Sequence, residues 1–291
     1  MFLLVIDWIM KKAIDNHPEN GIQWINGKLG DLDYADDLGL LASTNPMMQR
    51  TTDNLKSVAE SVGLRISIKK TKVMSINVKH PKNIVVDGNN LDHVHQFTYL
   101  GSTLTDENNV DKEVNIRIGR ATATFKSLNK IWSSTVYSLT TKTRIYNSIV
   151  LSVLLYSSET WQLTVATRKR LDSYDNKCLR RILRINWWDH VRNEEVWRIT
   201  KQPPVSKLIC KRRLQLFGHI MRSDNDNLCK QAVNWTPHGR RKLGSHKMSW
   251  ARTIRNDAKS MECSWEDVVK MTEDRNNWRV WSTQCAEKHG A

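Results

Sequence analysis

The sequence predicts an α+β protein whose first third mixes helices with short strands and whose remainder is helical. Up to about residue 110, brief apolar runs alternate with turn-forming residues, which is the pattern of short strands. Beyond that point, apolar residues recur every three or four positions, the spacing of one helix face. The charge changes at the same place. Residues 1–110 hold 11 basic and 13 acidic residues, a net charge of −2, whereas residues 111–291 hold 34 and 17, a net charge of +17.

Two helices and a hairpin are predicted at the start of the chain. Residues 2–14 are apolar on most sides of a helix, and residues 46–62 carry apolar side chains at helical spacing. Gly63 is well placed to end the second helix, because glycine adopts the left-handed conformation common at helix ends. Between the helices, residues 29–43 predict two short strands around a turn at residues 35–37.

Three further strand segments follow within the mixed part. The run at residues 73–78 predicts one strand. The pair Asp87-Gly88 is a hairpin turn signal between apolar residues 84–86 and Leu91. Residues 97–100 predict the last strand. We therefore expect the first hundred residues to be mixed α and β, with β-hairpins plus helices.

The rest of the chain is predicted to be helical. Apolar residues spaced three or four apart predict helices at residues 114–132, 145–156 and 171–185. After the interruption at Pro203-Pro204, residues 205–221 predict another helix. Near the C-terminus, Ser264 with Asp267 is a helix-start pattern, and residues 268–281 are expected to continue that helix.

Composition excludes several classes of protein. Five cysteines without a CxxC pair indicate reduced thiols and an intracellular protein of the cytoplasm, the nucleus or both, rather than a disulfide framework. Cys210, His219 and Cys229 are too widely spaced for a compact zinc site, so packing is the better account. No membrane partner is expected, because the apolar run at residues 2–6 is interrupted by Asp7 and no segment approaches the roughly 18 apolar residues of a membrane span.

The sharpest motif is Tyr34-Ala35-Asp36-Asp37. Enzymes that transfer a phosphoryl group to a 3′-hydroxyl commonly use two Mg²⁺ ions held by carboxylates. Adjacent aspartates in a tight strand turn can project toward one such site, whereas on a helix they would diverge by about 100°. The alternative is a solvated Asp-rich turn, since aspartate favours turns in any case.

Two later motifs follow this turn in a fixed order. Residues 63–72 read Gly-Leu-Arg-Ile-Ser-Ile-Lys-Lys-Thr-Lys, and residues 97–102 read Phe-Thr-Tyr-Leu-Gly-Ser. The three motifs together resemble the reverse transcriptases of non-LTR (LINE-type) retrotransposons. Residues 155–161 and 212–219 are similar to stretches of that family's thumb and C-terminal region, so the resemblance covers essentially the whole chain. Ser245-His246 departs from it, because the family usually has Gly-Arg-Pro there.

The resemblance implies an architecture and a set of partners. Residues 1–110 would be part of a polymerase palm, residues 111–222 a helical thumb-like domain, and residues 223–291 a basic, Trp-rich C-terminal region. The parent enzyme would be an RNA-directed DNA polymerase, a nucleotidyltransferase of a transposable element. It would bind an RNA template, a DNA primer, deoxynucleoside triphosphates and Mg²⁺.

The resemblance also assigns roles to individual residues. Asp36 would ligate the metal and Asp37 would support it. Lys70 would contact nucleotide phosphates, although a solvated lysine in a basic run explains it equally well. The primer grip, which holds the primer's 3′ end, would contain Phe97, Tyr99 and Gly101, with core packing an equally good account of both aromatic rings.

A further expectation concerns catalysis. The family's two-metal site needs another aspartate on a palm strand upstream of the hairpin, and that strand would precede residue 1. Asp7, Asp15, Asp31 and Asp33 are poor substitutes, because they lie on or just after the first helix or within the hairpin itself. The chain is therefore expected to be an inactive fragment by itself. The alternatives are a nucleic-acid-binding helical module and a non-functional retrotransposon relic.

Basic clusters in the helical part predict contacts with nucleic-acid phosphates. The positive charge alone also fits solvated helix faces. The 12 tryptophans mostly recur at helical spacing, which favours core packing over base stacking. Trp187-Trp188 is the exception, because adjacent positions cannot both face one core. The predicted phosphate-binding residues are Lys177, Arg180, Arg181, Arg184, Lys211, Arg212, Arg213, Arg240, Arg241 and Lys242.

Overall fold

The computed structural model describes residues 1–15, 19–25, 27–78, 80–107, 109–235 and 249–287. These residues form two compact units: one contains Met1–Asn109 and Trp235, and the other contains Val110–Asn234 and residues 249–287. The described strands all lie in the first unit, and the second is helical. The predicted α+β class is therefore confirmed, with a helical C-terminal region.

The first unit is built around two packed helices and a pair of hairpins. A small core joins the two helices through Ile9, Met10 and Ala13 of the first and Leu55 and Ala59 of the second. In chain order the elements are α1 (Phe2–Asp15), β1 (Ile22–Trp24), β2 (Gly27–Leu29), β3 (Asp31–Tyr34), β4 (Asp37–Leu40) and α2 (Asn45–Ser61).

The first helix is less enclosed than its composition indicates. Phe2, Leu3 and Leu4 are each more than half exposed, and burial begins only near Ile9. The second helix is capped at its start by a side chain. The Thr44 hydroxyl accepts a hydrogen bond from the Met47 N–H, which satisfies one of the otherwise unpaired first amides.

The remainder of the first unit consists of short strand pairs. β5 (Lys72–Val73) pairs in parallel with β8 (Asp92–His93). The other two pairs are antiparallel hairpins, β6 (Val85–Val86) with β7 (Asn89–Asn90) and β9 (Gln96–Tyr99) with β10 (Ser102–Thr105).

The residues at the turns favour the two antiparallel hairpins. Asp87 and Gly88 both have positive φ, and so do Leu100 and Gly101, as two-residue turns of type I′ require. The predicted hairpin at Asp87-Gly88 is therefore confirmed. The strand predicted over 73–78 is wrong beyond Val73, because the chain bends at residues 76–77 and Asn77 takes a positive φ.

The second unit is a bundle of helices joined by short loops. The first described segment contains α3 (Val110–Ser127), α4 (Asn129–Ser133), α5 (Leu139–Ile145), a π-helical segment (Tyr146–Leu151), α6 (Ser152–Leu154), α7 (Val165–Leu183), α8 (Asn193–Thr200), α9 (Val205–Met221) and α10 (Leu228–Asn234). The C-terminal segment contains α11 (Trp250–Lys259), α12 (Trp265–Met271) and α13 (Arg275–Glu287).

Most predicted helices are present, but two are interrupted, and the one predicted over 145–156 is π-helical over Tyr146–Leu151 and ends at Leu154. The helix at 205–221 is confirmed at both ends. The apolar stripe of 114–132 is divided at Leu128 between α3 and α4. The helix expected through 268–281 is also divided, because the Asp274 carboxylate accepts hydrogen bonds from the N–H groups of Asn276 and Asn277 and starts a new helix there.

Two apolar clusters hold the second unit together, and α9 contributes to both. Ile209 packs in the first cluster with residues from α3 to α8, and Phe217 packs in the second with residues from α10 to α13. Trp132, Trp161 and Trp278 are buried, in keeping with the core packing expected for them. Within the described ranges, no helix is both long and apolar enough to cross a membrane.

Candidate functional site

The Tyr34-Ala35-Asp36-Asp37 motif forms the tip of a β-ribbon. Tyr34 pairs with Asp37 across β3 and β4, which leaves Ala35 and Asp36 as a two-residue turn. Ala35 has a φ of 56°, the left-handed conformation that tight hairpin turns use. Asp36 and Asp37 are both exposed. The sequence predicted this hairpin and its adjacent exposed carboxylates.

The body of the ribbon is anchored on one face only. Leu38 and Leu40 are half-buried against the core formed by α1 and α2. Leu32 and Tyr34, which point to the opposite face because side chains alternate along a strand, are 45% and 65% exposed. The aspartates at the tip are therefore carried on a supported hairpin with one open face.

The hairpin of β9 and β10 contacts the aspartate hairpin through Tyr99. The Tyr99 hydroxyl donates a hydrogen bond of 2.9 Å to the backbone oxygen of Leu32. Burial, followed by the charges of Asp33 and Asp37, raises the pKa of this hydroxyl, so it stays protonated as a donor. Phe97 lies beside it, with ring centroids 6.3 Å apart, and Gly101 lies in the turn of the same hairpin.

The acidic character of this region extends beyond the motif. Burial, then the neighbouring Asp31 and the more distant Asp7, raises the pKa of Asp33 to about 6. Sequence reasoning set these three residues aside as substitutes for a missing ligand. It did not find that Asp33 and Asp37 both act electrostatically on Tyr99. The period-two alternation of Asp31 and Asp33 was the available indication that they share a strand face.

The residues present do not fit a complete Mg²⁺ pair. In the part of the chain that the structure describes, no group of three or more His, Cys, Asp and Glu side chains is arranged to hold a metal ion. Two-metal sites rely on several carboxylates that converge on ions a few ångströms apart. Asp36 and Asp37 would supply at most one side of such a site.

Lys70 lies in a turn within the second motif, residues 63–72. Its side chain is exposed, and its backbone N–H donates a 3.0 Å hydrogen bond to the Ser67 oxygen. Thr71 bonds to the same oxygen through its backbone and hydroxyl groups. This turn fixes the backbone at Lys70, and a phosphate-contacting role for its side chain stays a prediction.

The predicted phosphate-binding residues of α7 and its C-cap lie toward the C-terminal end of the helix, and the arginines among them donate to neutral acceptors. Lys177 is exposed. Arg180 donates hydrogen bonds of 2.7 Å to the Val191 oxygen and 2.8 Å to the Asn193 side chain.

The next two arginines border the loop after α4. Arg181 reaches the Asn129 side chain at 3.4 Å, and Arg184 donates to the Ser133 backbone oxygen. Their positions are fixed, while the oxygens that they contact carry no compensating charge.

The basic run on α9 divides into exposed and buried positions. Lys211 is half-buried, and Arg212 is exposed, with a 2.8 Å hydrogen bond to the Leu155 oxygen. Arg213 is 1% exposed and forms an ion pair with buried Asp257. The prediction that Arg213 binds phosphate is therefore wrong, because its guanidinium is enclosed. The prediction for Arg240, Arg241 and Lys242 lies outside the described residues.

Comparison with known proteins identifies two similarities. Residues 124–156 match a family model described as a domain of unknown function, DUF6451. A putative uncharacterized transposon-derived protein of Caenorhabditis elegans is 24% identical over 267 residues, which cover 87% of this chain and 95% of that protein. This similarity supports a transposable-element origin for the chain.

Proposed function

We propose that this chain derives from the RNA-directed DNA polymerase of a non-LTR retrotransposon and retains nucleic-acid binding without polymerase activity of its own. The observation that carries the proposal is the hydrogen bond from the Tyr99 hydroxyl to Leu32, which joins the primer-grip-like hairpin to the hairpin that carries Asp36 and Asp37. In the family that the sequence resembles, neighbouring hairpins with these motifs position the metal ligands and the primer end.

The arrangement of the carboxylates supports the absence of polymerase activity in this proposal. Asp36 and Asp37 are exposed at the ribbon tip, and the described residues supply no cluster of three carboxylates around a metal position. Without converging ligands, a metal ion would remain largely hydrated and would not align a 3′-hydroxyl with a nucleotide phosphate.

Primer extension tests the catalytic part of the proposal. The full chain is incubated with an RNA template, an annealed DNA primer and deoxynucleotides, with Mg²⁺ and separately with Mn²⁺. We expect no incorporation. Incorporation that Asp36→Ala abolishes, and that the matched surface variant Asp53→Ala retains, would show that the chain is an active polymerase and refute the inactivity proposed here.

The helical unit carries the nucleic-acid-binding part of the proposal. Residues 111–291 have a net charge of +17, and Lys177, Arg181 and Arg212 are exposed. Basic side chains that neutralise phosphates release counterions, so binding weakens steeply as salt rises. A gel-shift titration of the full chain at several salt concentrations should show that dependence. Absent or salt-insensitive binding would remove this part of the proposal.

A further inference from the structure

Two adjacent tryptophans are exposed just beyond the C-terminal end of α7. Trp187 is 82% exposed and Trp188 is 58% exposed, in contrast to the buried Trp132, Trp161 and Trp278. Their ring centroids are 5.8 Å apart and the rings meet edge to face, with an angle of 78° between their planes. Neither ring is needed to fill the described core, so both present aromatic surface to solvent.

The turn that carries these rings is fixed by its own hydrogen bonds. Trp187–Asp189 form one turn of 3₁₀-helix. The Asn186 N–H donates a 2.7 Å hydrogen bond to the Asp189 carboxylate, and the Asn186 side chain accepts one in return, which is a reciprocal capping box. Arg184 and His190 take left-handed conformations on either side. The rings are therefore held on a defined turn.

A basic cleft adjoins this turn. It has a volume of about 400 Å³, and its walls include Arg181, Arg184, Asn186 and the Ser133 end of α4. A second cleft shares Arg184 with it and contains Lys142. No carboxylate is among the described residues that line either cleft.

The hydrogen bonds of the basic side chains in these clefts orient them, but the acceptors carry no negative charge. Arg181 and Arg184 donate to an amide oxygen and a backbone oxygen respectively. The ammonium of Lys142 donates to two further backbone oxygens, those of Trp132 at 2.9 Å and Ser134 at 2.6 Å. Burial lowers the pKa of Lys142, and the nearby positive charge of Arg184 lowers it further.

We propose that this region binds a single-stranded nucleic-acid segment, whose bases stack on Trp187 and Trp188 while its phosphates contact Arg181 and Arg184. This inference rests on the proposed nucleic-acid binding and specifies its site. Aromatic rings beside a positively charged groove are the combination that recognises single strands without sequence preference. A duplex would not provide the base faces, and an apolar protein partner would leave the cationic cleft without complementary charge.

Binding of a fluorescently labelled oligothymidylate to the full chain tests the stacking directly. With a strand of about 15 nucleotides, we expect the double variant Trp187→Ala, Trp188→Ala to lose affinity by about tenfold or more, because each stacked base contributes substantially. The double variant with Phe at both positions should retain most of the affinity. Since both rings are exposed, circular dichroism should show an unchanged fold for all variants.

An abasic strand of equal length separates stacking from charge. It offers the same phosphates without bases, so the wild type and the double Ala variant should bind it equally. The matched control is Trp8→Ala in the first unit, where the ring is 45% exposed and lies beneath the ammonium of Lys12. We expect this control to bind oligothymidylate as the wild type does.

The possible results separate this inference from the proposed function. Full affinity of the double Ala variant for oligothymidylate, with wild-type binding intact and salt-dependent, overturns the stacking site and leaves the proposed function standing. An equal loss of affinity for the abasic strand also overturns it, because the rings would then act without bases. If the wild type binds no nucleic acid, the proposed function fails and this inference fails with it.

Discussion

At the scale of single residues, the buried pair Arg213 and Asp257 connects helices α9 and α11. Their side chains are 1% and 4% exposed, and Arg213 also donates a 3.1 Å hydrogen bond to the Trp161 oxygen. Asp257→Ala would leave the guanidinium buried beside a carbonyl without its main counter-charge. We expect a loss of about 3–5 kcal/mol in the free energy of unfolding, measured by urea denaturation.

The neighbouring arginine provides the control for this prediction. Arg212 is exposed, so Arg212→Ala should change the free energy of unfolding by only about 0.5 kcal/mol. The opposite order of the two effects would contradict the structural role assigned to Arg213. The sequence concealed this difference, because Lys211-Arg212-Arg213 has the composition of a surface patch. Arg213 is four residues from both Ile209 and Phe217, so the three side chains share one face of the helix, and that face is the buried one.

A second buried acid makes stability depend on pH. The pKa of Asp175 is raised to about 7, mainly by burial; the hydrogen bond from the Tyr146 hydroxyl opposes this shift, and the nearby charge of Asp172 adds to it. The folded pKa exceeds the ordinary value of about 4, so between these values the folded chain holds a proton that the unfolded chain has released. The contribution of Asp175 to stability is therefore greatest below about pH 4 and is lost as the pH rises toward 7.

Asp175→Asn tests this assignment. The amide oxygen can still accept the Tyr146 hydrogen bond but cannot ionise. Relative to wild type, the variant should gain a few kcal/mol in unfolding free energy between about pH 4 and pH 7, with the difference constant at higher pH. The measurement is urea denaturation at a series of pH values. A difference that is flat across this range would show that Asp175 ionises normally in the fold.

At the scale of elements, the close contact between α9 and α13 requires a glycine at position 218. A Cβ placed on Gly218 would lie 2.1 Å from the Trp278 indole nitrogen. That nitrogen donates a 3.0 Å hydrogen bond to the Leu214 oxygen on the same helix. Gly218→Ala should therefore force the two helices apart and lower the unfolding free energy by about 1–3 kcal/mol, although alanine normally favours a helix.

The other glycine inside a long helix supplies a matched control. Gly119 is exposed on α3, and a Cβ there would meet no neighbouring atom within 4 Å. Gly119→Ala should raise the unfolding free energy by about 0.5–1 kcal/mol through helix propensity alone. Thermal denaturation of the two variants should therefore show shifts of opposite sign. Stabilisation by both substitutions would mean that α9 and α13 are not packed as closely as described.

The elements that the sequence predicted well are those with a local signal at a boundary or a turn. The helix at 205–221 follows Pro204, a residue suited to helix starts, and its apolar positions keep one phase. The hairpin at Asp87-Gly88 is determined by its turn. The divisions at Leu128 and Asp274 were missed because apolar spacing continues across them, while the breaks arise from backbone and capping interactions that periodicity does not report.

At the scale of the whole molecule, the aspartate hairpin and the basic residues proposed to bind nucleic acid lie in different parts of the chain. The acidic hairpin lies in residues 1–110, which are nearly neutral overall, while residues 111–291 carry the net charge of +17. The sequence predicted both the hairpin and this asymmetry. It did not predict that Arg181 and Arg184 would border a cleft with Asn186, the residue before Trp187, because that arrangement depends on how α4 packs against the end of α7.

This arrangement predicts how binding responds to salt. For single strands, the slope of log affinity against log salt concentration is about −0.7 for each phosphate neutralised. Arg181→Ala and Arg184→Ala should therefore each make the slope shallower by about 0.7, with their effects adding in the double variant. Arg198→Ala is the control, because this exposed arginine on α8 is already paired with Glu195 at 2.5 Å. If the slope becomes shallower by the same amount in all three single variants, the binding reflects general electrostatic attraction and not specific contacts of Arg181 and Arg184 with phosphates.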